Sequence, residues 1–317
     1  MNLPASHRDS ELTPGSTGTG FYAIGIDVGG SKVASAVVNL HTGALSMRRQ
    51  FETRTERGGE PILGDVQTAL KELEEEAQLK QWAIKGVGLG VAELVSPAGD
   101  IFSDYRIAWK GIDIQARLSN RHAVTVESDV RAAALAEALY GAGKPYRDFL
   151  FVTIGTGVSA VSVRDGKPYA GARGAALVIA NGLTRHVCDS CGHVRSQTLE
   201  DIASGPGLVA LHGGLSSAEQ VLAAAEAGEA KAIAAVERAT GELGTVLALL
   251  VNSMDPAAVV VGGGLGSAPG TYWKRLREKI QSGLWEGDAR HLPILQAALG
   301  ADAGIVGAAA SIRSLRN

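Results

Sequence analysis

Two glycine-rich segments, far apart in the chain, constrain its fold most. The first is Ile24-Gly25-Ile26-Asp27-Val28-Gly29-Gly30-Ser31-Lys32 and the second is Phe151-Val152-Thr153-Ile154-Gly155-Thr156-Gly157-Val158. Each is a β-branched run that stops in glycine plus a serine or threonine. A buried strand feeding a glycine turn brings bare backbone N–H groups close to an anion. A hydroxyl in such a turn can donate to a phosphate oxygen. Asp27 stands at the strand end, where a carboxylate can hold a hydrated Mg²⁺. Two such turns facing each other would clamp a nucleoside triphosphate from both sides. A single Gly-Gly after a strand is an ordinary tight turn, so the weight rests on the pair. The pattern GxxxxGK[ST] is absent, which excludes a P-loop NTPase.

A length of 317 residues suits two domains rather than one core. Aromatic residues make up 5% and glycines number 41, as expected of an Ala/Val/Gly-rich α/β protein with many strand–helix turns. The net charge of −3 gives no electrostatic footprint for nucleic acid. No apolar stretch is long enough for a bilayer and no charged-then-apolar leader opens the chain, so no membrane partner is expected. Two cysteines exclude a disulfide scaffold and make a reducing cytoplasm the natural setting.

Residues 1–20 are polar and aperiodic and read as a disordered tail. From Phe21 the pattern is a strand, the Gly-Gly turn, a strand over 33–39, a hairpin turn at His41-Thr42-Gly43 and a strand over 45–53. A helix over 62–78 shows an apolar stripe at Ile62, Val66, Leu70 and Leu73. A buried strand over 84–91, a short helix over 111–118 and a strand over 123–127 follow. Then comes an alanine-rich helix over 129–140, stopped by Gly141-Ala142-Gly143. The second half repeats the theme with strands over 149–153 and 160–164 and a return over 167–169. A polar loop surrounds Cys188 and Cys191. Helices are expected over 198–203, 217–226 and 231–250, a strand over 258–261 ending in Gly262-Gly263-Gly264, a helix over 272–283, a strand over 294–297 and a last helix over 304–315. The expected division is a tail over 1–20, an N-terminal α/β domain over 21–130, a C-terminal α/β domain over 131–303 for nucleotide binding and dimerisation, and a helix over 304–317 returning to the first. This is a duplicated architecture, with two α/β domains facing across a cleft.

The order of motifs resembles the ROK family (repressor, open reading frame, kinase) of bacterial sugar kinases. The resemblance runs from Phe21 to the C-terminus. It is carried by the Asp27–Lys32 turn, by Glu127-Ser128-Asp129-Val130-Arg131-Ala132-Ala133-Ala134 and by Ile154-Gly155-Thr156-Gly157. Further matches are Gly171-Ala172-Arg173-Gly174-Ala175, Ala203-Ser204-Gly205-Pro206, the strand before Gly262 and Asp302-Ala303-Gly304-Ile305-Val306-Gly307-Ala308. The resemblance implies an actin-like ATPase (ribonuclease H-like) fold, with ATP and sugar in the cleft, O6 of a hexose as acceptor and a homodimer. Family repressors carry a winged helix-turn-helix ahead of this core. Only a short polar stretch precedes Phe21, so a kinase is expected rather than a regulator.

Phosphoryl transfer needs a base at the acceptor hydroxyl, a metal on the ATP and donors on the phosphates. Asp129 sits where a strand gives way to a helix and occupies the catalytic Asp position of the resembled motif; the alternative role is a helix N-cap. Gly29, Gly30 and Ser31 form the first phosphate turn, and Gly155, Thr156 and Gly157 the second. Lys32 can reach a phosphate or lie in solvent. Gly262, Gly263 and Gly264 would admit the adenosine. Expected cofactors are therefore ATP and Mg²⁺.

The departures from the family pattern bear on substrate. Ser128 stands where family kinases carry the Asn that holds a ring hydroxyl. Glu93 replaces a glycine. Val178 and Asn181 replace the sugar-binding Glu and a zinc-binding His. Tyr105-Arg106-Ile107 replaces Pro-Asn-Leu before the retained Trp109. A buried Glu93 needs a partner, since an unpaired buried charge costs roughly 3–5 kcal/mol. Arg106 is one choice and a substrate ammonium the other. The second predicts an amino-sugar kinase acting on kanosamine (3-amino-3-deoxy-D-glucose) or glucosamine, as in antibiotic pathways; plain glucose and a non-catalytic sugar sensor are the alternatives. Expected substrate contacts are Glu93, Arg106, Ser128, Asp129, Gly157 and Val178. Cys188, Cys191, His193 and His186 can form a structural zinc knuckle. The family's third Cys is missing, so a zinc-free loop is the other reading.

Overall fold

The computed structural model describes residues 21–119, 121–187, 191, 192, 194–285 and 287–316. Apolar runs rich in Val and Ile become the strands of two five-stranded sheets. The first sheet contains β1 (Tyr22–Val28), β2 (Lys32–Asn39), β3 (Leu45–Glu52), β4 (Ile84–Val91) and β5 (Val124–Ser128), in the order β3-β2-β1-β4-β5. β1 pairs antiparallel with β2 and parallel with β4, so Asp27 stands between Ala34 and Gly90. The β2–β3 hairpin closes where expected: the N–H of Gly43, in the left-handed region at φ 77°, donates to the Asn39 carbonyl over 2.8 Å.

Helix α1 (Gly59–Leu79) follows β3, a short α2 (Ile114–Leu118) precedes β5, and α3 (Asp129–Tyr140) follows β5 directly. The stripe on α1, with Ile62, Leu63, Val66, Leu70 and Leu73, packs with Ile24, Ile26, Val28 and Leu89 from one face of the sheet. This is the amphipathic spacing read from sequence.

The second sheet contains β6 (Phe149–Ile154), β7 (Val158–Arg164) and β8 (Lys167–Pro168). It is completed, after an excursion, by β11 (Val259–Gly262) and β12 (Ile294–Gln296) in the order β12-β11-β6-β7-β8. β7 is antiparallel to β6, and β11 is parallel to it. Each sheet is thus an antiparallel hairpin of three strands followed by two parallel strands. The duplication seen in the motifs is therefore also a duplication of topology.

Between β8 and β11 lie β9 (Leu183–Val187), β10 (Val194–Thr198), α4 (Leu199–Ala203), α5 (Gly205–His212), α6 (Ala218–Glu226) and α7 (Ala230–Met254); α8 (Thr271–Ser282) joins β11 to β12, and α9 (Ala303–Ser311) follows. Two of these elements correct the sequence reading. The polar loop around the cysteines is flanked by an antiparallel ribbon, with Leu183 opposite Thr198. Its strands are largely polar and lie outside both large sheets, so no apolar run announced them. Helix α5 was missed because Gly205-Pro206-Gly207 has the composition of a turn. Here the proline occupies the first turn, where its missing N–H costs nothing, and the Ser204 hydroxyl caps the Gly207 N–H at 3.1 Å.

The other face of the first sheet is covered by α9. A methyl group on Gly25 would lie 2.1 Å from the Ile305 carbonyl oxygen, and one on Gly88 1.6 Å from that of Ala308. α3 in turn lies on α9, with Gly307 against the Ala132 carbonyl. Helix α3 also reaches the second sheet, where Ala134 packs with Phe149 and Phe151. The chain passes between sheets after α3 and again before α9, and the fully buried Glu137 ties both passages. Its carboxylate accepts from Ala142 N at 2.7 Å, Ala298 N at 3.1 Å and Leu299 N at 2.8 Å.

Candidate active site

In open α/β sheets ligands gather at the carboxyl ends of the parallel strands, and the expected residues come together there. Asp27 lies near the end of β1. Its carboxylate packs on Gly304 in the first turn of α9, where a side chain would strike it, and the positive end of the helix dipole faces it. Asp129 is the first residue of α3, just past the end of β5; the N-cap position belongs to Ser128. The Asp129 carboxylate accepts its neighbour's N–H, from Val130, at 2.7 Å.

Both carboxyl groups lie deep in the protein yet keep a partial opening to solvent. Burial pushes Asp27 up to about 7; the nearby Asp129 charge adds to the rise and Lys32 opposes it. Burial pushes Asp129 up to about 6, and the charge on Glu93 raises it further, against the Val130 N–H and Arg131. Asp27, Glu93, Asp129 and Lys32 therefore share one electrostatic neighbourhood.

The first turn is braced from the residue that follows β3. The buried Thr53 donates its hydroxyl to the Gly29 carbonyl at 2.6 Å and its N–H to the Ser31 carbonyl at 3.1 Å. The second turn is braced from α5, with Gly205 N donating to the Gly155 carbonyl at 2.8 Å. The third glycine segment meets it: Gly263, at φ 82°, lies on the backbone of Ile154, and the N–H groups of Leu265 and Gly266 donate to the Ile154 carbonyl. Gly155–Gly157 and Gly262–Gly264 thus form one continuous backbone surface, with Thr156 exposed upon it.

Glu93 resolves differently from either expectation. It is buried, and its carboxylate accepts from the Ser103 hydroxyl and from the backbone N–H groups of Tyr105 at 2.9 Å, Arg106, and Ile107 at 2.8 Å. Four donors fill the acceptor capacity of a carboxylate. The Arg106 guanidinium is not among them, so the ion pair expected from sequence is replaced by a bond to that residue's backbone. The retained Trp109 is a core residue whose indole N–H donates to the Gly59 carbonyl at 2.7 Å.

Ser128 is buried at the β5–α3 junction, and its N–H donates to Glu127 at 2.8 Å. Val178 is 45% exposed and offers no polar group to a sugar. Cys188 and His193 of the expected zinc set lie outside the described residues. Cys191 is an exposed free thiol, and His186 lies in β9.

Two further residues join the site that were not singled out from sequence. Arg131, buried on α3, pairs with Glu127 and donates to the carbonyls of Gly174 at 2.9 Å and Val95 at 2.6 Å. It fastens the helix that carries Asp129 to loops from both halves. Its i,i+4 spacing from Glu127 was the available signal. Glu200, on α4, sets one carboxylate oxygen on Gly157 and accepts from Val158 N at 2.9 Å. Its contact crosses forty-odd residues of sequence, and only its place just ahead of Ala203-Ser204-Gly205 hinted at it.

A model of the ROK family matches residues 23–314, nearly the whole chain. The chain belongs to the ROK family. Across this ROK protein, a glucokinase of Halalkalibacterium halodurans is 28% identical, covering 93% of this chain and 96% of the relative. An N-acetylmannosamine kinase of Shigella boydii is 29% identical, with 90% and 96% covered. Among solved structures, a ROK glucokinase from Streptomyces griseus in complex with glucose and AMPPNP superposes with a TM-score of 0.76 at 26% identity, covering 92% of this chain and 99% of that one. The expectations of a ROK sugar phosphotransferase and of an actin-like ATPase fold are both met. Among the described residues no helix is long and apolar enough to cross a membrane.

Proposed function

We propose that this ROK protein transfers the terminal phosphoryl group of ATP to O6 of a hexose, with Asp129 as general base. One observation carries the reading. Asp129 and Asp27 are two deep carboxyl groups of raised pKa at the ends of β5 and β1, the strands on either side of β4, beside a glycine turn whose counterpart stands on the second sheet. A pKa near 6 suits a carboxylate that must be ionised at neutral pH and still take a proton. Asp129 accepts the hydroxyl proton as the sugar oxygen bonds to phosphorus, and the bond to the departing ADP oxygen breaks. The turns Gly29–Ser31 and Gly155–Gly157 present N–H groups and hydroxyls to the phosphates. Glu200 faces the same turn with a carboxylate oxygen to spare for a sugar hydroxyl.

Asp27 fits a divalent cation. Among the described residues its carboxylate accepts no hydrogen bond, and it stands next to a second carboxylate. Mg²⁺ bound there would neutralise phosphate charge.

Glu93 no longer argues for an amino sugar, because its acceptors are filled by the 103–107 loop. Plain hexoses are therefore the favoured acceptors. ATP supply agrees with a cytoplasmic setting. A homodimer is part of the same proposal: Trp285 is 91% exposed and Leu249 64% exposed, and the Trp285 N–H donates to the side chain of Asn252, which lies on the same helix, α7, as Leu249. Light scattering tests it.

The decisive experiment is ATP consumption with Mg²⁺ against glucose, mannose, glucosamine, N-acetylglucosamine, N-acetylmannosamine and kanosamine. Turnover with a neutral hexose, abolished in Asp129→Asn, is the expected result. Strong preference for kanosamine or glucosamine would restore the amino-sugar reading. Sugar binding without turnover would move the protein to the sensors.

A further inference from the structure

The Glu93 clamp leaves one group unexplained, the guanidinium of Arg106. The backbone around it is fixed: the N–H groups of Tyr105, Arg106 and Ile107 all end on one buried carboxylate. The side-chain stem lies on the first phosphate turn. A methyl group on Gly30 would sit 3.5 Å from Arg106 Cδ and 3.8 Å from its Cβ and Cγ. Beyond that stem Arg106 is exposed, and among the described residues its guanidinium makes no hydrogen bond or ion pair. Arg131, two residues along from the base, is the contrast, with all three guanidinium nitrogens bonded, to Glu127, Gly174 and Val95.

An arginine with a fixed backbone, a stem resting on a glycine turn and an uncommitted head is a preorganised cation. A planar fork of N–H donors matches the oxygens of a phosphoryl group in pairs, whereas a neutral hydroxyl uses only one of them and leaves the charge unmet. We infer that Arg106 contacts the terminal phosphoryl group of ATP above the Gly29–Ser31 turn, and that Glu93 is the positioning residue that aims it. Glu93 and Arg106, two separate departures from the resembled pattern, then become one device. The inference rests on the kinase reading. It adds to that reading a cation that meets charge developing on the transferring group, the role of an arginine supplied in cis.

The test measures binding and rate separately. Titration calorimetry with Mg-AMPPNP and with Mg-ADP is run on the wild type and on Arg106→Ala, Arg106→Gln and Glu93→Gln. Arg106→Ala and Arg106→Gln should lose about tenfold or more in AMPPNP affinity, while ADP affinity stays within about twofold, as for one charge-assisted contact to the terminal phosphate. With the responding sugar, kcat should fall about 100-fold and the sugar KM hold within about twofold. Free guanidinium ion should recover part of the Arg106→Ala rate. Glu93→Gln, which swaps one acceptor oxygen for an amide donor facing N–H groups, should show the same split more weakly and gain nothing from guanidinium. Equal losses for AMPPNP and ADP, unchanged AMPPNP affinity, or a raised sugar KM with kcat intact would each overturn the inference; the last would make Arg106 a sugar contact. Because Arg106 is an exposed residue whose head makes no bond among the described residues, the Arg106 variants should keep the wild-type circular dichroism and Tm. If the wild type shows no sugar-dependent turnover, the kinase reading fails, and the AMPPNP–ADP contrast still decides Arg106.

Discussion

At the carboxyl end of the first sheet, β1 carries Asp27 next to its last residue, β4 runs on to Glu93 and β5 delivers Asp129. At the matching places of the second sheet, β6 runs into Gly155 and β11 into Gly263, and neither brings a charge. The two halves repeat one topology and divide the chemistry. In the proposed function the first supplies acid–base groups and a cation, held by buried side chains. The second supplies a backbone surface, with Gly263 lying on Ile154 and the Glu200 carboxylate set on Gly157. A pair of glycine turns alone would have no base. The difference between the halves is what makes the duplicated fold a transferase site.

The largest expected effect removes the charge asymmetry at its centre. Asp129→Asn should lower kcat about 10³-fold or more while nucleotide still binds. The same variant should gain stability at alkaline pH. Asp129 titrates near 6 in the folded protein and near 3.8 when unfolded, so between those values the native state holds more protons. Stability therefore falls as pH rises through that window, and the charged form is disfavoured above it. Differential scanning fluorimetry without Mg²⁺ or nucleotide should show Asp129→Asn more stable than wild type at pH 8, by about 1–3 kcal/mol, and little different at pH 4. A loss of stability at pH 8 would mean that the carboxylate is well compensated and no base.

The covers of the two sheets differ in the same spirit. The second sheet is buried by side chains from α7: Val236, Leu243, Leu247 and Val251. The first sheet receives α9 backbone against backbone at Gly25 and Gly88, which brings Gly304 within reach of Asp27. Gly88→Ala should therefore cost roughly 3 kcal/mol or more, because its methyl meets a carbonyl that cannot turn aside. Gly241→Ala, on α7 with open space around it, should be neutral or slightly stabilising. Urea denaturation of the two variants separates these outcomes. Similar midpoints would show that α9 can retreat from the sheet.

These contrasts mark what was legible in the sequence. Strand–glycine turns, the apolar stripe of α1 and the strand-to-helix step at Asp129 each announce themselves locally, through periodicity or composition. Glu93 was recognisable as a buried charge, but its partners are backbone N–H groups, which leave no trace in residue type. The Arg131 carbonyl contacts and the Glu200–Gly157 contact are long-range. Gly205-Pro206-Gly207 hid a helix because the same three residues serve a turn equally well.

A smaller effect concerns pH. The charge on Glu93 helps to hold Asp129 near 6, so kcat/KM should fall below about pH 6 as the base becomes protonated. Removing a neighbouring negative charge lowers a carboxyl pKa. Glu93→Gln should therefore move this acidic limb downward, whatever it does to the maximum. An unmoved limb would assign it to another group, with Asp27 the first candidate.

The smallest effect sharpens the comparison of the turns themselves. Thr53 holds the first turn through one hydroxyl and one N–H, from just past β3 of the same sheet; the second turn is held by backbone bonds from α5 and from the segment after β11, and by the Glu200 carboxylate. Thr53→Val keeps the volume and the N–H bond but leaves the Gly29 carbonyl without its donor. The loss should be about 1–2 kcal/mol of stability, with KM for ATP raised a few-fold and the sugar KM unchanged. If Thr53→Val alters the sugar KM instead, the first turn shapes the acceptor site as well as the phosphates, and the division of labour between the halves is less complete than their charges suggest.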